Sequence, residues 1–180
     1  KRSNELIAHT YSNLYNLKSI GLRFFTVYGP WGRPDMALFL FTKAITEGKP
    51  INVFNNGEMI RDFTFIDDVI ESIVRLIKKP ATSYSNFDRE SPDPSVSWAP
   101  HRIFNVGNSQ PTPLMEYIAA IEDTLKLKAK FNFLPMQKGD IKETYADNSA
   151  LESWIDYKPT TSIKDGVNQF VKWYIDFYKT

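Results

Sequence analysis

The chain has no cysteine, which removes disulfides, thiol nucleophiles and thiolate metal sites together. Histidine is nearly as scarce: His9 and His101 stand alone in the sequence, so no imidazole ligand set can be written from spacing, and the residues predict no metal site. Long apolar runs are missing as well, since nothing approaches the roughly 20 residues of a membrane-spanning helix. Neither sign of charge dominates, because 22 basic and 21 acidic residues are well mixed and leave a formal net charge of +1. That balance offers no basic face for nucleic acid and no polybasic block for a membrane surface. What is present is apolar and aromatic: 42% hydrophobic and 14% aromatic residues over 180 positions can bury a core of one domain, or a domain plus a lobe.

The organising stretch is GLRFFTVYGPWGRPDMA, Gly21 to Ala37. Leu22, Phe24, Phe25, Val27 and Tyr28 read as a strand, broken by Gly29-Pro30 and again by Gly32-Arg33-Pro34. In an open α/β sheet ligands gather beyond the carboxyl ends of the strands, which puts Thr26, Tyr28, Trp31 and Arg33 where they can line a site. An ordinary strand and turn is the alternative. Leu6, Thr10, Leu14 and Leu17, with Ile7 and Tyr11 beside them, predict a helix over residues 1–17 with one packing face. A helix over 36–47 is closed by Gly48 and Pro50. A short strand at 51–54, turn chemistry at Asn55-Asn56-Gly57 and an extended run at 61–65 follow.

Asp67-Asp68 opens a helix to residue 79 that ends in Lys78-Lys79, so a cap and the helix dipole account for both acids better than a metal or acid/base pair. Residues 81–102 are rich in serine and proline and form either a mobile surface loop or a partial cover of the site. Strand 102–106 resumes the core. Thr112 as N-cap and Pro113 at the first helical position open a helix carrying Leu114, Ile118, Ile121 and Leu125. Strand 129–134 and an irregular 135–147 wall around Gly139 precede a last helix. Ser162 and Asp165 box its start, and its stripe of Ile163, Val167, Phe170, Tyr174 and Phe177 faces the core. The expected architecture is α/β, with strands 22–28 and 103–107 as parallel neighbours and residues 51–65 and 129–147 as a smaller lobe.

Five segments in order carry a resemblance: KRSNEL from Lys1, RFFTVYGPWGRPDMA from Arg23, RDFTFIDDV from Arg61, IFNVGN from Ile103 and KGD from Lys138. Together they resemble the C-terminal portion of extended short-chain dehydrogenase/reductases, within them the nucleotide-sugar epimerases and especially the UDP-glucuronate 4-epimerases. The glycine-rich dinucleotide fingerprint and the catalytic tyrosine of such enzymes do not occur among these residues. The resemblance therefore implies that residues 1–180 are the C-terminal part of a Rossmann-like fold, parallel strands plus a substrate-binding lobe, inactive alone. It also implies NAD as cofactor, a UDP-sugar as substrate, a homodimeric cytoplasmic parent, and interconversion of UDP-glucuronate and UDP-galacturonate through a 4-keto sugar. A related dehydratase or decarboxylase, or a non-catalytic nucleotide-sugar binder, stays open.

Roles follow position by position from the same resemblance. Lys1 falls on the lysine that lowers the pKa of a tyrosine four residues upstream from its usual value of about 10 and holds the nicotinamide ribose. Phe25 would offer its backbone to the nicotinamide amide. Thr26 and Arg33 would border the sugar or its phosphate, while the Asn52, Val53 and Phe54 backbone would meet the uracil ring. Arg61 would grip the diphosphate, a task suited to a guanidinium that stays charged and donates two bonds at once. A structural ion pair with Asp62 is the alternative for Arg61. Asp140 and Thr144 fall on positions that meet the nucleotide, although Asp140 could simply stabilise a turn. Gln137, where galactose-type relatives carry arginine, and the 81–102 insertion both favour the glucuronate type.

Overall fold

A computed structural model describes residues 1–179. The element order is α1 (Arg2–Tyr15), β1 (Ser19–Phe24), β2 (Thr26–Tyr28), α2 (Ala37–Thr46), β3 (Pro50–Phe54), β4 (Ile60–Phe65), α3 (Ile66–Lys78), β5 (His101–Val106), β6 (Pro111–Pro113), α4 (Leu114–Leu125), β7 (Lys130–Leu134), α5 (Ser149–Ile155) and α6 (Ile163–Tyr178). The fold is α/β with mainly parallel strand pairs.

The run expected as one strand over 22–28 is two. At Phe25 the N–H donates to the Val106 carbonyl at 3.1 Å, while the Phe25 carbonyl accepts the Val27 N–H at 3.1 Å. That second bond closes a three-residue turn centred on Thr26. β1 therefore pairs in parallel with β5, Ser19 opposite His101 through Phe24 opposite Val106, as expected for these neighbours. β2 then takes a different partner, β4, with Thr26 opposite Phe63. β3 pairs in parallel with β7, and the Ile60 N–H and carbonyl bond Lys142 and Thr144, so the smaller lobe draws on both expected segments.

Two apolar cores hold these layers. One joins α2, α4 and α6 to β2, β3 and β4, with Phe63 stacked on Tyr117 at 4.0 Å between ring centroids and Phe170, Val167 and Ile121 fully enclosed. The other packs Val69 and Leu76 of α3 against Phe104 and Val106 of β5 and against Leu151 and Ile155 of α5. Burial of this kind stabilises by about 1.5–3 kcal/mol for each large side chain.

Three expectations need correction, and one open alternative closes. Thr112 is not an N-cap: it lies in β6, antiparallel to β4 opposite Arg61, and α4 begins at Leu114 after Pro113. β6 is an edge strand, where a proline's missing N–H removes no ladder bond. Asp67 and Asp68 lie in the first turn of α3, yet neither side chain caps it. The buried Asp68 carboxylate instead accepts the Tyr157 hydroxyl at 2.6 Å and the Thr161 N–H at 3.1 Å, tying α3 to the α5–α6 linker. Phe177 is exposed rather than core, with its ring against Trp31. Finally, the serine- and proline-rich connection packs on α1 and β5, through Trp98 to Asn13 at 2.7 Å and Ile103 to Ser95 at 2.9 Å, and covers neither of the clefts described below. The Ser162–Asp165 box forms as expected, the Ser162 Oγ accepting the Asp165 N–H at 3.1 Å and the Asp165 carboxylate accepting the Ser162 hydroxyl at 2.6 Å.

Candidate functional site

Two adjoining clefts open where β1 and β2 end. The larger, about 440 Å³, is bordered by Lys1, Phe25, Thr26, Trp31 and Arg33. The smaller, about 240 Å³, is bordered by Asn52, Phe54, Arg61 and Asp140. Thr26, Met36, Ala37 and Phe63 line both. The result is one groove, running from Lys1 to Arg61 with Thr26 and the start of α2 at its waist.

Local sequence explains the waist. After β2 the backbone enters the left-handed region at Gly29, φ 142°, where a Cβ would strike the Ile66 side chain. Trp31 follows at φ 63°, its ring 5.2 Å from Trp173 and 5.1 Å from Phe177. The loop then delivers Met36 and Ala37 as the N-terminus of α2, which no side chain caps. Free N–H groups and the positive end of the helix dipole thus face the groove, a setting that favours an anion. Arg33 stands beside it in solvent, 3.3 Å from Asp35 and 3.3 Å from the Met36 sulfur.

Arg61 is better fixed. Its Nη1 donates to the Ile60 and Lys142 carbonyls, each at 3.0 Å, and its Nη2 reaches Asp140 at 3.0 Å. Three of five donors are thereby spent, leaving Nε–H and one Nη2–H for a ligand. Asp62 is not its partner. That carboxylate, fully enclosed, accepts the N–H groups of Asn108 at 2.7 Å, Ser109 at 3.0 Å and Ala146 at 3.0 Å, while the Asp62 N–H donates to the Thr144 hydroxyl at 3.1 Å. One carboxylate so gathers the β5–β6 turn and the 140s segment around the strand that carries Arg61. Gly107 must be glycine here, because a Cβ would collide with Ala146 and crowd Asp62.

The sequence-derived residues divide accordingly. Lys1, Phe25, Thr26, Arg33, Asn52, Phe54, Arg61 and Asp140 all border the groove. Val53 does not, since its side chain is fully enclosed, although β3 has an unpaired edge opposite β7 along which backbone groups are free. Thr144 is not on that border either; its hydroxyl accepts the Asp62 N–H and keeps its own proton. Asn52 spends its carbonyl oxygen on Asn132 at 2.8 Å and keeps its NH₂. Phe25 has committed its N–H, leaving one carbonyl lone pair. Met36, Ala37, Phe63 and the organising Asp62 went unassigned in the sequence. Met36-Ala37 was legible as a helix start, whereas nothing local marks Asp62 as a hub.

Tyr28 and Tyr117 also reach the larger cleft. Burial pushes both hydroxyls up, for Tyr28 with help from Asp68 and Asp165, so each stays protonated and serves as wall.

Residues 1–107 match the family model described as NAD dependent epimerase/dehydratase family. The chain is 56% identical over 179 residues to Protein CapI of Staphylococcus aureus, covering 99% of this chain and 54% of that protein. It is 46% identical to the probable UDP-glucuronate 4-epimerase of Rhizobium meliloti, covering 99% of this chain and 53% of the relative. The chain thus spans about half the length of the curated relatives it matches. Among solved structures it is similar to UDP-glucuronic acid 4-epimerase from Bacillus cereus in complex with UDP-glucuronic acid and NAD, with a TM-score of 0.82, 31% identity, and 99% of this chain and 52% of that one covered.

Proposed function

The chain belongs to the NAD dependent epimerase/dehydratase family, and from that premise we propose that it is the substrate-gripping C-terminal part of a UDP-sugar 4-epimerase that interconverts UDP-glucuronate and UDP-galacturonate. The observation that carries this reading is the single groove joining Lys1, Thr26 and Arg61. An extended ligand with a reactive sugar at one end and a charged diphosphate toward the other matches its layout, and relatives 46% and 42% identical are named probable UDP-glucuronate 4-epimerase and UDP-glucuronate 4-epimerase 4.

On this reading the work divides as follows. Arg61, with two donors free, and the N-terminus of α2 hold diphosphate oxygens. The β3 edge from Asn52 to Phe54 meets the base, and Val53 takes part through its backbone alone. Asp140 keeps Arg61 aimed. Thr144 acts one step back, by bracing Asp62. Thr26 and Arg33 border the sugar. NAD fits at the opposite end, where Lys1 carries an exposed ammonium and Phe25 keeps a free carbonyl lone pair; when bound, it would accept the C4 hydride and return it to the other face. Lys1 holds the ribose and stabilises a deprotonated tyrosine from before it in the chain.

The 180 residues contain no Gly-x-Gly-x-x-Gly and no tyrosine four positions before a lysine. We expect no turnover from them alone. The apolar stripe of α1, with Leu6, Leu14 and Tyr15 exposed, supports a homodimeric parent. Incubating the whole protein with NAD and UDP-glucuronate should give UDP-galacturonate. Turnover of UDP-glucose with none of UDP-glucuronate would overturn the substrate assignment.

A further inference from the structure

Helix α1 carries Lys1 to the groove, yet it is not held by its apolar face. Leu6, Ile7, Tyr11, Leu14 and Tyr15 are all exposed, and Ser12 is its one buried residue among those described. Its attachments are polar. Glu5 forms a two-bond pair with Arg23, at 2.7 and 2.8 Å, and Asn13 accepts from Trp98. The other attachments converge on the chain's two histidines, 92 residues apart in sequence and 5.4 Å apart between ring centroids.

Proton counting fixes one of these paths. The Ser12 hydroxyl donates to the Leu17 carbonyl at 2.7 Å, so its proton is spent. In the 2.6 Å contact between Ser12 and Ser19, Ser19 must then donate. With that proton spent, the 2.6 Å contact between Ser19 and His101 Nδ1 requires Nδ1 to carry hydrogen. The path runs His101 to Ser19 to Ser12 to Leu17, from β5 through β1 into α1. His101 is buried and its Nε2 has no partner, so in this tautomer Nε2 is a bare lone pair. A second path joins His9 Nε2 to the Ser97 hydroxyl at 2.5 Å, and that oxygen also accepts the Ala99 N–H at 3.0 Å.

We propose that His101, with His9 packed beside it, forms a proton-sensitive clamp that seats α1 against β1, β5 and the 93–100 segment while the His101 ring is neutral, and so positions Lys1 at the groove. A proton on His101 Nε2 creates a buried donor with no acceptor, facing a second imidazole. The charged groups around the pair are Glu5, Arg2 and Arg23 from α1 and β1, and Asp93 from the connecting segment, while Arg89 lies over Trp98 and Arg102 is turned onto Trp154. Glu5 favours protonation of His101, but burial first and His9 next oppose it, holding that imidazole below its ordinary 6.5. The unfolded chain therefore takes up the proton first, so the clamp's stability is present above 6.5 and is lost as pH falls below it. His9 and His101 are positioning residues, and their link to chemistry rests on the reading of Lys1 given above.

Hydrogen exchange read by mass spectrometry on the chain, at about pH 7.5 and about pH 5.5, tests the clamp on either side of the imidazole range. After correction for intrinsic rates, residues 2–15 and 93–100 should exchange about tenfold faster at the lower pH while α4 and α6 do not. His101→Asn keeps an N–H for Ser19 without a titratable ring, so it should stay closed at both values; His101→Ala should be open at both. Unchanged protection of 2–15 in acid, or acid opening of His101→Asn equal to wild type, would overturn the clamp. In the whole protein His101→Ala should weaken NAD binding and His101→Asn should restore it. A loosened α1 with unaltered NAD affinity would leave the clamp standing and overturn the role of Lys1.

Discussion

At the Arg61 end of the groove, three backbone N–H groups converge on one enclosed carboxylate, and the next residue of the same strand, Phe63, stacks on Tyr117 in the core. At the Lys1 end, a helix whose apolar residues face outward is seated through serines, an asparagine and two histidines. Burial by a core is cooperative and insensitive to pH, whereas a chain of hydrogen bonds can be opened by one proton or one lost hydroxyl. One groove is therefore bounded by a core-backed end and by an end held through hydrogen bonds.

Substitutions at the two ends should differ in size. Asp62→Ala removes the acceptor of three backbone bonds and should lower folding stability by about 3–5 kcal/mol, read by urea unfolding; a loss no larger than that of a surface substitution would mean the hub carries little. Ser12→Ala breaks the serine path and should cost about 1–2 kcal/mol, with faster exchange confined to α1 and its neighbours. Equal loosening of α4 would erase the contrast between the two ends. Leu14→Ser, on the exposed stripe, should shift the chain's stability by less than about 0.5 kcal/mol; a larger drop would show that the stripe packs inward.

Much of the fold was legible in the sequence. Strand and helix periods gave β1 beside β5, the lobe segments and the boxed start of α6, because each rests on local pattern plus a parallel crossover. β6 was missed because two prolines in three residues argue against a strand unless it lies at an edge. α5, SALESWI, is too short to show a helical period. At the site, Thr26 and Arg33 were legible from a strand end and a Gly/Pro-broken loop, whereas Lys1, Phe25, Asn52, Phe54, Arg61 and Asp140 were assigned by resemblance; all of them border the groove. Asp62 was read as a rival partner for Arg61, because sequence adjacency hides that successive side chains on a strand point to opposite faces. The enclosed side chain of Val53 leaves the backbone role implied for it open, and Thr144 accepts the Asp62 N–H through its hydroxyl.

The measurement that reaches the central claim most directly is calorimetric UDP binding to wild type and Arg61→Ala, with the melting temperature of each. A diphosphate grip predicts a dissociation constant raised roughly tenfold to over a hundredfold, from charge-assisted bonds of about 1.5–3 kcal/mol, and a melting shift smaller than that of Asp62→Ala. Unchanged UDP affinity alongside a large fall in melting temperature would show that Arg61 serves only to fasten Asp140 and the Lys142 backbone, and would contradict the nucleotide end of the groove.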